Sequence, residues 1–169
     1  MNINDAILNR RSIRKYEKGY FVSDNDIKTM LTAAMHAPSA CNTRPWEFLV
    51  IKTEEAKERV LKCHTSATFL KDASLAILVC ALPERQEGTR GTGFYPQDCG
   101  AAIQNILLSA YSLGLGTCWC GIYPKEERVK LFKEEFNLTS LPLGLVVIGK
   151  ACEEPAAKGF YEEEKVRMI

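Results

Sequence analysis

Residues 73–82, ASLAILVCAL, are apolar at every position except Ser74. A run with no polar alternation reads as a central strand buried on both faces, and such a strand needs cover on two sides. The remaining chain can supply it. Residues 4–10 predict a short helix capped by Asn2 or Asn4. After a cap at 23–26, residues 24–36 place Ile27, Met30, Leu31 and Ala34 at helical spacing, and Ala37-Pro38 stops that helix. Residues 46–52 (WEFLVIK) predict a strand, and 54–70 a charged amphipathic helix. Residues 95–113 form the most apolar helix, to be enclosed in the core or between protomers. GLGTCWCGIY turns into a strand, Pro124 is expected to open a short helix, and 141–151 (LPLGLVVIGKA) is another buried strand. Helices interspersed with strands give an α/β or α+β layered sandwich. Between them, 83–93 (PERQEGTRGTG) reads as a mobile connection or lid.

The chain has 169 residues, which suggests one domain that can complete itself by pairing with a copy. Lys plus Arg number 22 against 21 for Asp plus Glu, so no global charge attracts nucleic acid or acidic membranes. No apolar stretch approaches the roughly 20 residues that span a bilayer, and the first residues lack a signal-peptide core. Seven cysteines, an odd number, predict reduced thiols in a cytoplasmic protein. With only His36 and His64 present, no metal centre is expected and few partners exist for a nucleophile triad.

Four segments carry chemistry. Arg10-Arg11-Ser12-Ile13-Arg14-Lys15 gathers four cations and a hydroxyl, which suit either a phosphate clamp or a solvated helix end. Pro38-Ser39-Ala40-Cys41-Asn42-Thr43-Arg44-Pro45-Trp46 is a rigid polar loop that can lie against a flat heterocycle, with Asn42 reading an edge. Gly114-Leu115-Gly116 sits between a helix and a strand, the reverse of the order a dinucleotide fingerprint needs. In the strand that follows, Cys118 and Cys120 are expected on opposite faces, one in the core and one near a ligand. Lys165 and Arg167 reach a phosphate only if the tail docks.

In their order, these segments resemble the FMN-dependent nitroreductase family. RRSIRKY, PSACNTRPWEF, DCGAAIQNILLSAYSLGLGTCWCG and EEKVR are similar to four segments of that family, and the likeness runs from about residue 5 to residue 167. It implies a single FMN-binding domain over 1–169, an α+β layered α-β-α sandwich with a mainly antiparallel sheet. It also implies a homodimer with exchanged C-terminal tails and FMN at the interface. By resemblance, Arg10, Ser12 and Arg167 hold the FMN phosphate, with Arg11 and Lys165 nearby. Arg14 sits near flavin N1 and O2, where a cation favours electron-pair acceptance. Pro38, Ser39, Ala40 and Asn42 of the partner protomer line the isoalloxazine, and the backbone N–H of Cys120 or Gly121 approaches N5. No side chain need act as acid or base.

The implied activity is ping-pong oxidation of NADH or NADPH, with a nitroaromatic, quinone or similar small electrophile as acceptor. Dehalogenation, enone reduction and a non-catalytic flavin sensor or carrier are the alternatives on the same fold. Departures from the family pattern are Arg44 where glutamine is common, the Cys120 thiol, and a short chain. The connection at 83–95 is the expected cover of the flavin, with Phe94 or Tyr95 touching substrate.

Overall fold

A computed structural model describes residues 2–157 and 159–169. Four strands, β1 (Trp46–Ile51), β2 (Leu75–Ala81), β3 (Gly116–Gly121) and β4 (Leu141–Gly149), form one wholly antiparallel sheet in the order β1-β2-β4-β3. The apolar run is β2, buried along its whole length and flanked by strands on both edges. Its pleat divides the core. Leu75, Ile77, Val79 and Ala81 face helices α2 (Asp24–Met35) and α4 (Tyr95–Ser112), where Met30, Ile103 and Ile106 are buried. Ala76, Leu78 and Cys80 face α3 (Glu54–Cys63) and α5 (Glu126–Phe136), against Val60 and Phe132. Period-2 alternation with both faces covered is what makes the run continuously apolar. The result is the α-β-α sandwich expected.

Local chemistry sets the helix ends. Helix α1 (Ile3–Asn9) starts at an Asn2 capping box completed by Asp5, and Ser23 and Thr53 cap α2 and α3 through their hydroxyls. Three expectations need correction. Helix α3 ends at Cys63 rather than 70, because His64 leaves the helical region (φ −137°) to bury its ring; a turn and a separate 3-10 segment, Thr68–Lys71, complete the stretch. Pro124 does not open α5: it lies in the Ile122–Lys125 turn, and the helix begins at Glu126.

The third correction concerns the mobility expected of 83–93, which is tied down by hydrogen bonds. Pro83–Gln86 forms a 3-10 turn, Gln86 is fully buried, and its carbonyl accepts the hydroxyls of Thr89 (2.8 Å) and Thr92 (2.7 Å). Low hydrophobicity concealed this order, which comes from polar side chains bonding to backbone.

Candidate active site

The basic segment is a strip laid along the outer edge of β3. Arg10 closes α1, its N–H donating to Ala6 O at 3.0 Å. The chain then runs extended: Ser12 pairs in parallel with Thr117, Ile13 N–H donates to Thr117 O at 2.8 Å, and Tyr16 pairs with Ala151. Ile13 and Tyr16 are buried beneath the strip, and the Tyr16 hydroxyl donates to Ile13 O at 2.7 Å. Gly116 permits the approach, since a Cβ there would lie 2.9 Å from Ile13 Cγ1 and 3.0 Å from Ala151 Cβ. With Ile13 held inward, Ser12 and Arg14 on either side of it are left exposed.

Arg10, Arg11, Ser12 and Arg14 line one cavity of about 800 Å³, together with Glu153 and Tyr161. Arg10 Nε and Arg11 Nε are buried without hydrogen-bond partners. Arg11 turns its Nη1 to the carbonyls of Leu8 (2.7 Å) and Arg10 (2.9 Å), a cation on a helix C-terminus. Among the described residues, Arg10 and Arg14 form no ion pair. Glu153 was not picked out from the sequence. Its Oε1 accepts the backbone N–H groups of Arg14 (2.5 Å) and Lys15 (3.1 Å), so it fastens the start of the tail to the strip without consuming a guanidinium. An acidic pair four residues past the end of a buried strand was its only signal.

Pro38, Ser39, Ala40 and Asn42 lie in the loop from α2 to β1, outside that cavity. Ser39 Oγ accepts Arg44 N–H at 3.0 Å, and Asn42 Oδ1 accepts Arg44 Nε at 3.0 Å. Cys41, Asn42 and Arg44 have φ of 53°, 53° and 47°. Left-handed non-glycine residues cost on the order of 1 kcal/mol or more each and persist only where the surroundings impose them.

Cys120 and Gly121 end β3. Cys118 and Cys120 are both buried in the α3/α5 core, which overturns the expectation that they face opposite ways. Residues two apart on a strand share a face; it is Trp119, 44% exposed, that points to the other side. Hydrogen bonding from the Cys120 S–H holds the Cys118 thiol below the usual range against the effect of burial, helped by the Arg14 charge. His64 is buried nearby with Nε2 unpartnered, and Arg128 Nη1 takes the Gly121 carbonyl at 2.7 Å. Burial, then the Arg128 charge, lowers the His64 pKa.

Lys165 and Arg167 are exposed on the tail, where Lys165 Nζ pairs with Glu162 Oε2 at 2.5 Å. Within one chain they do not line the cavity that holds Arg10 and Arg14. Tyr95 packs edge-on against Tyr123, with ring centroids 6.5 Å apart, and Phe94 is exposed. Among the described residues no three metal-ligating side chains cluster, and no helix is long and apolar enough to cross a membrane.

The sequence profile of the nitroreductase family matches residues 7–67 and 62–150, which takes in the strip, the loop and the end of β3. The chain belongs to the nitroreductase family. This nitroreductase-family chain is 37% identical over 170 residues to a Methanothermobacter thermautotrophicus protein provisionally named NADH dehydrogenase/NAD(P)H nitroreductase, covering 99% of this chain and 87% of that one. A crystal structure from Parabacteroides distasonis under the same provisional name superposes with a TM-score of 0.90 at 32% identity, over 99% and 98% of the two chains. An FMN-dependent nitroreductase from Clostridium difficile gives 0.84 at 30% identity, over 98% of each.

Proposed function

We propose that residues 1–169 form a single FMN-binding domain of a cytoplasmic homodimeric NAD(P)H oxidoreductase. Its acceptors are nitroaromatics, quinones or similar small electrophiles. The observation that carries this reading is the cavity beside the strip. Among the described residues, Arg10 and Arg14 bring two positive charges with no acid paired to them, Arg10 and Arg11 each bury an unpartnered Nε, and Ser12 adds a hydroxyl. A buried donor without a partner is costly, so this donor set fits an anion such as the FMN phosphate.

When bound, FMN supplies hydride acceptance from NAD(P)H and hydride delivery to the acceptor. The chain's residues bind and orient. Arg10 and Ser12 hold the phosphate, with Arg11 beside them, and Lys165 and Arg167 join them when tails are exchanged between protomers. Arg14 places a positive charge at the N1/O2 side of the ring, which favours the reduced state. Pro38, Ser39, Ala40 and Asn42 of the partner protomer line the ring, and the N–H of Cys120 or Gly121 is the donor toward N5. No side chain is required to move a proton.

The absorption spectrum of the purified protein, followed by anaerobic titration with NADH and NADPH and then an acceptor panel, tests the reading. A yellow protein reduced by at least one nicotinamide and reoxidised by a nitroaromatic or quinone is expected. A colourless protein that takes up no FMN overturns it.

A further inference from the structure

We propose that Asp98 and Gln86 act as positioning residues, a buried brace that fixes the shape of the 39–44 loop and so aligns the wall lining the flavin ring; this deepens the functional reading and rests on it. Asp98, in the first turns of α4, is 7% exposed, and both of its carboxylate oxygens face the Ala40 N–H, at 3.1 and 3.2 Å. Its Oδ2 also accepts Gln86 Nε2 at 2.7 Å. The same Nε2 reaches Thr43 Oγ1 at 3.2 Å, and that hydroxyl donates to Ala40 O at 2.9 Å. From the same connection, Arg85 Nη1 donates to Arg44 O at 3.0 Å. Gly91 lies flush against the loop: a Cβ there would meet the Ala40 Cβ and O at 3.1 Å. One carboxylate and one amide therefore tie α4, the 83–93 connection and the loop together.

Burying a carboxylate is expensive when no cation answers it, and among the described residues Asp98 has no ion-pair partner. Its charge is met by N–H donors alone. What those donors secure is a loop with three left-handed residues, Cys41, Asn42 and Arg44, none of them glycine. An unbraced loop would relax these residues toward commoner conformations. The loop holds the ring-lining residues of the functional reading, so a loss of shape is expected to act on the ring and not on the phosphate.

The test measures binding of FMN and of riboflavin, which lacks the phosphate, to flavin-free protein by fluorescence quenching, beside the thermal midpoint. Gln86→Leu replaces the amide with an apolar side chain of similar size and is expected to fold. It should weaken FMN and riboflavin by the same factor, about tenfold, with Asp98→Ala at least as damaging. Asp98→Asn should be milder than Asp98→Ala, because its amide oxygen still accepts the Ala40 N–H and the Gln86 amide can turn its oxygen, unpartnered in wild type, toward the new Nδ2. If wild type binds FMN and Gln86→Leu binds each flavin as tightly as wild type does, the brace is overturned. A wild-type protein that takes up no flavin overturns the functional reading, and the inference with it.

Discussion

The two ends of the chain carry similar basic residues but are held very differently. At the N-terminal end, Arg10 to Tyr16 is anchored by bridges to Thr117 and Ala151, by two N–H bonds to Glu153 and by the buried Ile13. At the C-terminal end, Lys165 and Arg167 stand on an exposed segment whose described contacts are local: a 3-10 turn at Glu163–Lys165 and the Lys165–Glu162 pair. Yet Phe160, Tyr161, Val166 and Met168 on this tail are exposed apolar groups. A cation is useful to a ligand only when something else fixes it. On the functional reading proposed above, the strip is a preformed half of an anion site, and the tail is a half that the exchange between protomers would fix.

Removing residues 155–169 is the most severe way to probe that difference. It deletes Lys165 and Arg167, together with Lys158, while leaving every strand of the sheet. FMN retention should fall by about two orders of magnitude or more, since each charge-assisted contact is worth about 1.5–3 kcal/mol. Sedimentation should show monomer, with the far-ultraviolet circular dichroism of the sheet and helices retained. A truncated chain that stays dimeric and yellow would erase the distinction between the ends.

Substitutions within the strip come next. Arg10→Ala should weaken FMN about tenfold to a hundredfold and leave riboflavin almost untouched, because only the phosphate contact is lost. Arg11→Ala should behave differently. Its Nη1 is engaged with carbonyls at the end of α1, so the main expected cost is about 1 kcal/mol of stability, read from the urea midpoint. Equal flavin loss in the two variants would show that the strip does not sort its arginines in this way.

The strip also depends on the strand it borders. Burial, then the Arg128 charge, depresses the His64 pKa, so the folded state takes up the proton at a lower pH than the unfolded chain does. Above the unfolded value near 6.5 both states are neutral and this stability is fully present. As pH falls below it the unfolded chain gains the proton first, and stability drops by up to about 1.4 kcal/mol per pH unit. Urea midpoints between pH 7.5 and 5.5 should therefore decline more steeply in wild type than in His64→Asn. Parallel slopes would remove His64 from the account.

What the sequence made legible was whatever depends on spacing. The double-sided burial of β2 followed from its unbroken apolar run, and α2 from the placing of Ile27, Met30 and Ala34. The strip, the loop and the end of β3 were recognisable as segments. Their relative placement was not, because it depends on partners far away in sequence: Glu153 against Arg14, and Asp98 against Ala40. The 83–93 connection looked loose because its order rests on Gln86, Thr89 and Thr92, polar residues whose bonds carry no hydrophobic period. The Cys118–Cys120 pair was misplaced by misapplying the pleat, although Trp119 between them, a large apolar side chain, did mark the opposite face.

The smallest effect probes the tail one charge at a time. Lys165 is 68% exposed and already faces Glu162, which is 33% exposed. For Lys165 to serve a phosphate, that pair must open, and an exposed pair of this kind is worth about 0–1 kcal/mol. Glu162→Gln should therefore leave the thermal midpoint nearly unchanged. It should tighten FMN by about fivefold or less, since Lys165 no longer has to be taken from a carboxylate. The gain should shrink as salt rises, because screening weakens the competing pair in wild type. It should vanish in the double substitution Glu162→Gln with Lys165→Ala. If FMN affinity does not fall in Lys165→Ala at low salt, Lys165 plays no part at the phosphate.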